Sequence, residues 1–260
     1  MSAIFIDGQL AHYEVIGRGR PVLFLHGWLG SWRYWVPTMQ AVSTSNRMYA
    51  LDLWGFGESA KCNRYTLKDQ VDLLYSFLDK IGIFQISIVG HGLGAIVAYK
   101  LANAYPELVN KIMAVSYPLS LDSLNTRLLF GDSNSLLEKL LGKSIHKDVI
   151  TSDGLKNDPL STKISLQELE DINFLDHVKS FKNTSLLVYG QNDPVVKMSI
   201  VEDSQLHENV HTIVFEQSNH FPMVDESSAF SRLLLEFLEL SNEESPRNLQ
   251  IKEKWKRKLR

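Results

Sequence analysis

Polar, glycine-rich segments follow five apolar runs of the sequence, and these segments carry its candidate catalytic groups. In chain order they read HGWLGS, WGFGES, GHGLG, GQNDPVV and EQSNHFPMVDE. They include His26, His91, Asp193 and His220, and imidazole and carboxylate groups are the side chains that enzymes most often use for proton transfer. The histidines do not have the spacing of metal ligands, so we predict neither a metal site nor a cofactor.

The apolar runs that precede these segments are predicted to be strands. Residues 22–27 form a continuous apolar run that ends in glycine, as expected of a strand buried on both faces. Further strand-like runs are at 4–6, 12–15, 48–53, 86–89, 112–115, 186–189 and 212–215. Helix-period segments are at 67–81, 93–104, 196–205 and 229–240, and two further helical pieces are at 135–143 and 165–178. This alternation predicts an α/β fold with a mostly parallel sheet, helices on both faces and a ligand site at the carboxyl ends of the strands.

The stretch SIVGHGLGAIVAYKLA, residues 87–102, is predicted to be a buried strand, a glycine-rich turn and a helix. Glycine occupies alternate positions of the turn, at Gly90, Gly92 and Gly94. Such spacing is typical of a turn so tight that neighbouring Cβ atoms would clash. Gly92, at the centre, has no side chain that could act as a nucleophile.

In their order along the chain, these motifs resemble the α/β-hydrolase fold family over roughly residues 22–240. The matching features are the His-Gly pair, the DLWGFGES loop, the GHGLG elbow, an acid after a late strand and a final histidine. The resemblance implies an eight-stranded sheet with a small helical cap inserted after the sixth strand. It divides the chain into a core of residues 1–118 and 182–241, a cap of residues 119–181 and a charged tail of residues 242–260.

The same resemblance assigns roles to individual residues. Family members have Ser, Asp or Cys at the centre of the elbow, where this chain has Gly92. Asp193 and His220 match the acid and the histidine of the triad, and Asp193 would accept a proton from the Nδ1–H of His220. The backbone N–H groups of Trp28 and Leu93 match the oxyanion hole. The remaining predicted pocket residues are His26, Gly27, His91 and Ser116.

Other residues are weaker candidates for a nucleophile. Cys62 has no neighbouring partner in the sequence and is interpreted as a bystander thiol. Ser116 ends the sixth predicted strand, close to the predicted site, but a relocated nucleophile is the less favoured interpretation there. Ser59 belongs to the DLWGFGES loop and is interpreted as structural.

Three functions remain open from the sequence. The favoured one is a hydrolase of esters or similar small acyl substrates, or a related cofactor-free enzyme, that uses the dyad, an activated water and the oxyanion hole. The second is a non-catalytic protein that binds a small molecule. The third is an ordinary serine hydrolase in which Gly92 is an engineered replacement. Retention of Asp193 and His220 favours the first, because a binding protein needs no oriented imidazole.

The composition limits the compartment and the partners. The chain has 260 residues, 44% of them hydrophobic, which suits one large domain. A net charge of -3 gives no general attraction to nucleic acid or anionic membranes. One cysteine excludes an internal disulfide, and we find neither a signal peptide nor a membrane-length apolar run. We predict a cytoplasmic protein with a small-molecule substrate or ligand, no nucleic-acid partner and no membrane span, and leave its oligomeric state open.

The basic end of the tail is interpreted as a solvated terminus, with an acidic partner or membrane surface less favoured.

Overall fold

The computed structural model describes residues 2–129, 147–154, 156–198, 206–241 and 244–251, with the backbone alone for 147–149 and 151. Three predictions concern residues outside these ranges. They are the helical piece at 135–143, most of the helix at 196–205 and the basic end of the tail at 252–260. Among the described residues, no helix has both the length and the apolar character needed to cross a bilayer.

An eight-stranded sheet forms the centre of the described chain. Its strands are β1 (Ser2–Ile6), β2 (Gln9–Gly17), β3 (Arg20–Leu25), β4 (Asn46–Leu51), β5 (Ile86–His91), β6 (Val109–Val115), β7 (Thr184–Gly190) and β8 (Val210–Phe215). Their order across the sheet is β1-β2-β4-β3-β5-β6-β7-β8. Strand β2 is antiparallel to both of its neighbours, and every other neighbouring pair is parallel. This sheet confirms the predicted fold.

The central strands are buried because helices cover both faces of the sheet. All seven residues of β7 are buried, which explains why parallel strands of this kind appear in the sequence as unbroken apolar runs. The main helices are α1 (Val36–Val42), α2 (Leu67–Lys80) and α3 (Leu93–Ala104), with α8 (Pro222–Asp225) and α9 (Ser227–Glu239) after the last strand. Helices α1 and α9 contact each other, whereas α2 and α3 form a second packed pair.

Helices and turns fill the described part of the chain between β6 and β7. They include α4 (Thr126–Leu129), α5 (Lys147–Gly154), α6 (Pro159–Gln167) and α7 (Phe174–Ser180). The last of these, α7, packs on α3. Near the start of this interval, Leu124 forms an isolated antiparallel bridge with Val196, so the chain that leaves β6 is paired with the loop that follows β7.

Candidate active site

A sharp turn joins β5 to α3 and places Gly92 at its centre. Gly92 has φ 49° and ψ −110°, a conformation that side-chain-bearing residues rarely adopt. The N–H of Gly92 donates to the carbonyl of Val115 at 2.9 Å, and the N–H of Gly94 donates to the carbonyl of His26 at 3.1 Å. These two bonds fasten the turn between the ends of β6 and β3.

Close packing explains the glycines on either side of the turn but not the one at its centre. A Cβ atom on Gly90 would lie 2.6 Å from the Cα of Ala95, and one on Gly94 would lie 2.6 Å from the Cβ of Leu25. A Cβ atom on Gly92 would lie 3.4 Å from its nearest neighbour, a ring carbon of Trp28. That is an ordinary van der Waals distance, so position 92 has room for a side chain. Only the backbone conformation opposes one, at a cost of about 1–3 kcal/mol.

Two backbone N–H groups beside Gly92 have no hydrogen-bond partner in the described part of the chain. They belong to Trp28, whose buried ring faces Gly92, and to Leu93, the first residue of α3. The first N–H groups of a helix have no intrahelical acceptor, and they lie at the positive end of the helix dipole. These two donors are therefore suited to a negatively charged oxygen near Gly92.

Asp193 and His220 form a buried hydrogen-bonded pair at the ends of β7 and β8. His220 Nδ1 lies 2.8 Å from Asp193 Oδ2, while Asp193 Oδ1 accepts the N–H groups of Val195 at 2.8 Å and Val196 at 3.0 Å. Burial raises the pKa of Asp193, but the attraction of His220 and these hydrogen bonds outweigh it and leave the pKa below its ordinary value. Asp193 is thus a carboxylate that fixes the Nδ1 proton of His220 and leaves Nε2 free to act as a base.

Ser116 contributes a further hydrogen bond to the same carboxylate. Its Oγ lies 2.8 Å from Asp193 Oδ2, and its backbone has φ 50°, which is unusual for a residue with a side chain. Because an ionised carboxylate only accepts, Ser116 must donate this bond. The hydroxyl therefore faces the acid and has its proton committed there.

A chain of hydrogen bonds that the sequence did not indicate connects the turn to His220. His91 Nε2 lies 3.0 Å from the carbonyl oxygen of His220, so Nε2 carries the proton. His91 Nδ1 lies 3.1 Å from the hydroxyl of Tyr34, which also accepts the N–H of Gly27 at 2.8 Å. Burial, and then the neighbouring His220, lower the pKa of His91 well below its ordinary value. A neutral His91 is the form that this chain requires, since Nδ1 must accept from Tyr34.

His26 forms hydrogen bonds with the backbone of the loops after β3 and β4. Its Nε2 accepts the N–H of Leu53 at 3.0 Å, so its Nδ1–H donates to the carbonyl of Gly27 at 2.8 Å. Both ring nitrogens are thereby used within the protein. Ser59 likewise bonds within these loops, accepting the N–H of His12 and donating to the carbonyl of Asp52.

One nucleophile candidate from the sequence, Cys62, has no part in this hydrogen-bonded cluster. Cys62 is a free, half-buried thiol, and no hydrogen bond between described residues links it to Asp193 or His220. Over the residues described, no group of three His, Cys, Asp or Glu side chains is arranged to hold a metal ion.

The elbow, the paired acid and histidine, and the sheet order together define a known class. The chain has the α/β-hydrolase fold, and the model of the α/β-hydrolase fold family matches its residues 20–136. Among curated proteins it is similar to the pimeloyl-[acyl-carrier protein] methyl ester esterase of Vibrio cholerae serotype O1. The two are 26% identical over 252 residues, which cover 87% of this chain and 97% of the esterase.

Solved structures share the fold at lower sequence identity. A serine-to-glycine variant of the N-acyl homoserine lactonase AidH, complexed with N-hexanoyl homoserine lactone, has a TM-score of 0.80 and 19% identity over 91% of this chain and 96% of that one. The enol-lactonase from Burkholderia xenovorans LB400 has a TM-score of 0.78 and 14% identity over 92% of this chain and 100% of that one.

The different surroundings of the turn glycines predict different costs of adding a methyl group. Gly90→Ala forces a Cβ against the backbone of α3 and should lower the free energy of unfolding by about 3 kcal/mol or more. Gly92→Ala adds a methyl group where there is room and should cost only the backbone conformation, about 1–2 kcal/mol. Urea unfolding of the two variants measures the difference, and equal losses would show that position 92 is as crowded as position 90.

The neutral state of His91 predicts a pH dependence of stability. Its pKa in the unfolded chain is close to 6.5, but its pKa in the fold is well below that value. As pH falls below 6.5, only the unfolded chain takes up this proton, so the free energy of unfolding should fall by up to about 1.4 kcal/mol per pH unit until the folded pKa is reached. His91→Gln should remove this slope in urea unfolding measured between about pH 7.5 and about pH 5.5.

The facing groups His220, Asp193 and His26 are retained in that variant, so only the contribution of His91 is removed. Replacement of the exposed His207 by Gln is the matched control and should leave the slope as it is in the unmodified protein. An unchanged slope in His91→Gln would mean that His91 takes up its proton equally in the folded and the unfolded chain.

Proposed function

We propose that the chain hydrolyses small carboxylic esters with an activated water molecule in place of a serine nucleophile. The observation that carries the proposal is the bond between His220 Nδ1 and Asp193 Oδ2 beside an elbow whose centre, Gly92, has room but no side chain. A methyl ester and a lactone, the substrates named for the esterase and the lactonase relatives, are both carboxylic esters. These similarities support this substrate class.

In the proposed reaction, His220 Nε2 takes a proton from a water molecule as the water oxygen bonds to the ester carbonyl carbon. The carbonyl π electrons move to oxygen, and the N–H groups of Trp28 and Leu93 donate to the resulting oxyanion. The tetrahedral intermediate then expels the alcohol oxygen, which takes the proton back from His220. The products are a carboxylic acid and an alcohol, and no acyl group is attached to the protein.

Asp193 supports both proton transfers. It is a carboxylate at neutral pH because its pKa lies below the ordinary value, and its negative charge stabilises the imidazolium that forms on His220. General-base assistance of this kind accelerates a reaction by about 10²–10⁴-fold. The acid, base and oxyanion donors that remain around Gly92 are therefore enough for a slow hydrolase.

We also propose that the helices between β6 and β7, within residues 119–181, form a cap over the strand ends. In support, Asp158 of this interval donates its N–H to the carbonyl of Gly55 at 2.8 Å, and Tyr65 donates to its carboxylate at 2.7 Å. The core is then formed by residues 1–118 and 182–241. The reaction needs neither a metal nor a cofactor, and we place it in the cytoplasm.

Four versions of the chain test the mechanism with a short-chain nitrophenyl ester and a fluorophosphonate probe. The unmodified protein should hydrolyse the ester without being labelled, because it has no nucleophilic side chain at position 92. His220→Ala should lower kcat by about 10²-fold or more, whereas His207→Ala, at an exposed histidine, should not. Gly92→Ser should react with the probe and hydrolyse the ester faster.

Gly92→Ala is the matched control for Gly92→Ser, since it has the same backbone strain but no hydroxyl. Equal hydrolysis by the unmodified protein and His220→Ala would contradict the general-base mechanism. Hydrolysis by Gly92→Ser alone would show that the chain binds without catalysis as it stands, or is a serine hydrolase with its nucleophile replaced. An inert Gly92→Ser would show that the rest of the machinery is not intact.

A further inference from the structure

The loop after β3, here called the Trp28 loop (residues 26–33), is held by residues of the chain between β6 and β7. Ser31 donates its hydroxyl proton to Asp153, and Arg33 binds the same carboxylate at 2.9 Å. Two further contacts reach Trp28 itself. The indole Nε1–H of Trp28 donates to Ser165 Oγ at 3.0 Å. The backbone carbonyl of Trp28 accepts a hydrogen bond from the side-chain amide nitrogen of Asn157 at 3.3 Å.

Ser165 and Asn157 are oriented independently of Trp28. Ser165 is fully buried, and its hydroxyl proton is directed to the carbonyl of Ser161 at 2.8 Å, which leaves the oxygen lone pairs for the indole N–H. Asn157 Oδ1 accepts the N–H of Gly57 at 3.1 Å, so its nitrogen has to be the atom that faces Trp28. Both side chains would therefore keep their orientation without Trp28, and their contacts fix the position of Trp28.

The peptide unit that carries the Trp28 N–H is held from the core as well. Its carbonyl, that of Gly27, accepts His26 Nδ1–H at 2.8 Å and the N–H of Gly30 at 3.3 Å. Neither bond constrains the indole or the carbonyl of Trp28, which lie on the other side of its Cα. The direction of the Trp28 N–H thus depends on the core at one end and on Ser165 and Asn157 at the other.

We propose that Ser165 and Asn157 are positioning residues that aim the Trp28 N–H, and the ring of Trp28, at the reacting centre beside Gly92. This inference rests on the proposed function, because it is the ester oxyanion that the N–H would meet. Ser165 and Asn157 touch no reacting atom and act only through Trp28. The oxyanion site is therefore complete only when the chain between β6 and β7 is seated on the Trp28 loop.

Ser165→Ala tests the inference through catalysis. Loss of one buried hydrogen bond should lower kcat for the nitrophenyl ester by about tenfold and leave KM within about twofold, because the donor acts on the transition state. Asn157→Asp, which keeps an acceptor for Gly57 but loses the donor to Trp28, should have the same effect. Ser161→Ala is the matched control, since Ser161 is equally buried on α6 and, among the described residues, its hydroxyl bonds only to the carbonyl of Asp158.

The same substitutions in a Gly92→Ser background make the test independent of water-dependent hydrolysis. Reaction with a fluorophosphonate also develops charge on an oxygen in the oxyanion site, so Ser165→Ala should slow labelling by about tenfold, whereas Ser161→Ala should not. If the unmodified chain hydrolyses nothing, the proposed function fails, and this labelling rate alone decides the inference.

Nuclear magnetic resonance gives a readout that a loss of general stability would not change. The indole N–H signal of Trp28 is identified by its disappearance in Trp28→Phe. It should shift and exchange faster with solvent in Ser165→Ala, while the other indole signals stay in place. Equal kcat and labelling rates for the Ser165→Ala and Ser161→Ala variants, or an unmoved Trp28 signal, would overturn the inference. Absence of labelling in Gly92→Ser itself would overturn the oxyanion role of Trp28 and the inference with it.

Discussion

The close packing of the turn between β5 and α3 against α3 and β3 is the constraint on which the site depends. The chain passes so close to α3 and β3 that Gly90 and Gly94 cannot bear a Cβ. This closeness forces the residue between them into a left-handed conformation and directs position 92 toward Trp28. The same turn places Leu93 at the start of a helix, where its N–H has no hydrogen-bond partner among the described residues. One tight turn thus positions Gly92 and the backbone N–H of Leu93 together.

The buried polar groups around this turn are satisfied in one consistent arrangement. Asp193 receives bonds from His220, Ser116 and two backbone N–H groups, so each of its two carboxylate oxygens accepts two hydrogen bonds. His91 is neutral and has a fixed tautomer, with Tyr34 on one nitrogen and the carbonyl of His220 on the other. Partial satisfaction of such a network would be costly in a buried site. The arrangement therefore restricts His220 to one orientation.

The fold, and the position of Asp193 and His220 at one edge of the sheet, could be predicted from the sequence because each has a local sequence pattern. Buried parallel strands are unbroken apolar runs, and the polar segments after them lie at one sheet edge, which is where Asp193 and His220 are found. The contacts that support the site have no such signal. Tyr34 lies in the aromatic stretch WRYW and meets His91 57 positions away, while Ser165 meets Trp28 across 137 positions. Only the assembled structure shows that these residues are neighbours.

The position of β7 and β8 as the last two strands in the sequence has a consequence for synthesis of the chain. The elbow lies between β5 and α3 in the first half of the sequence, but the acid and the histidine follow the last two strands. A chain made as far as β6 already contains the turn and the N–H groups of Trp28 and Leu93, but it lacks the pair formed by Asp193 and His220. Because the chain is synthesised from its N-terminus, Asp193 and His220 leave the ribosome only after the turn, Trp28 and Leu93.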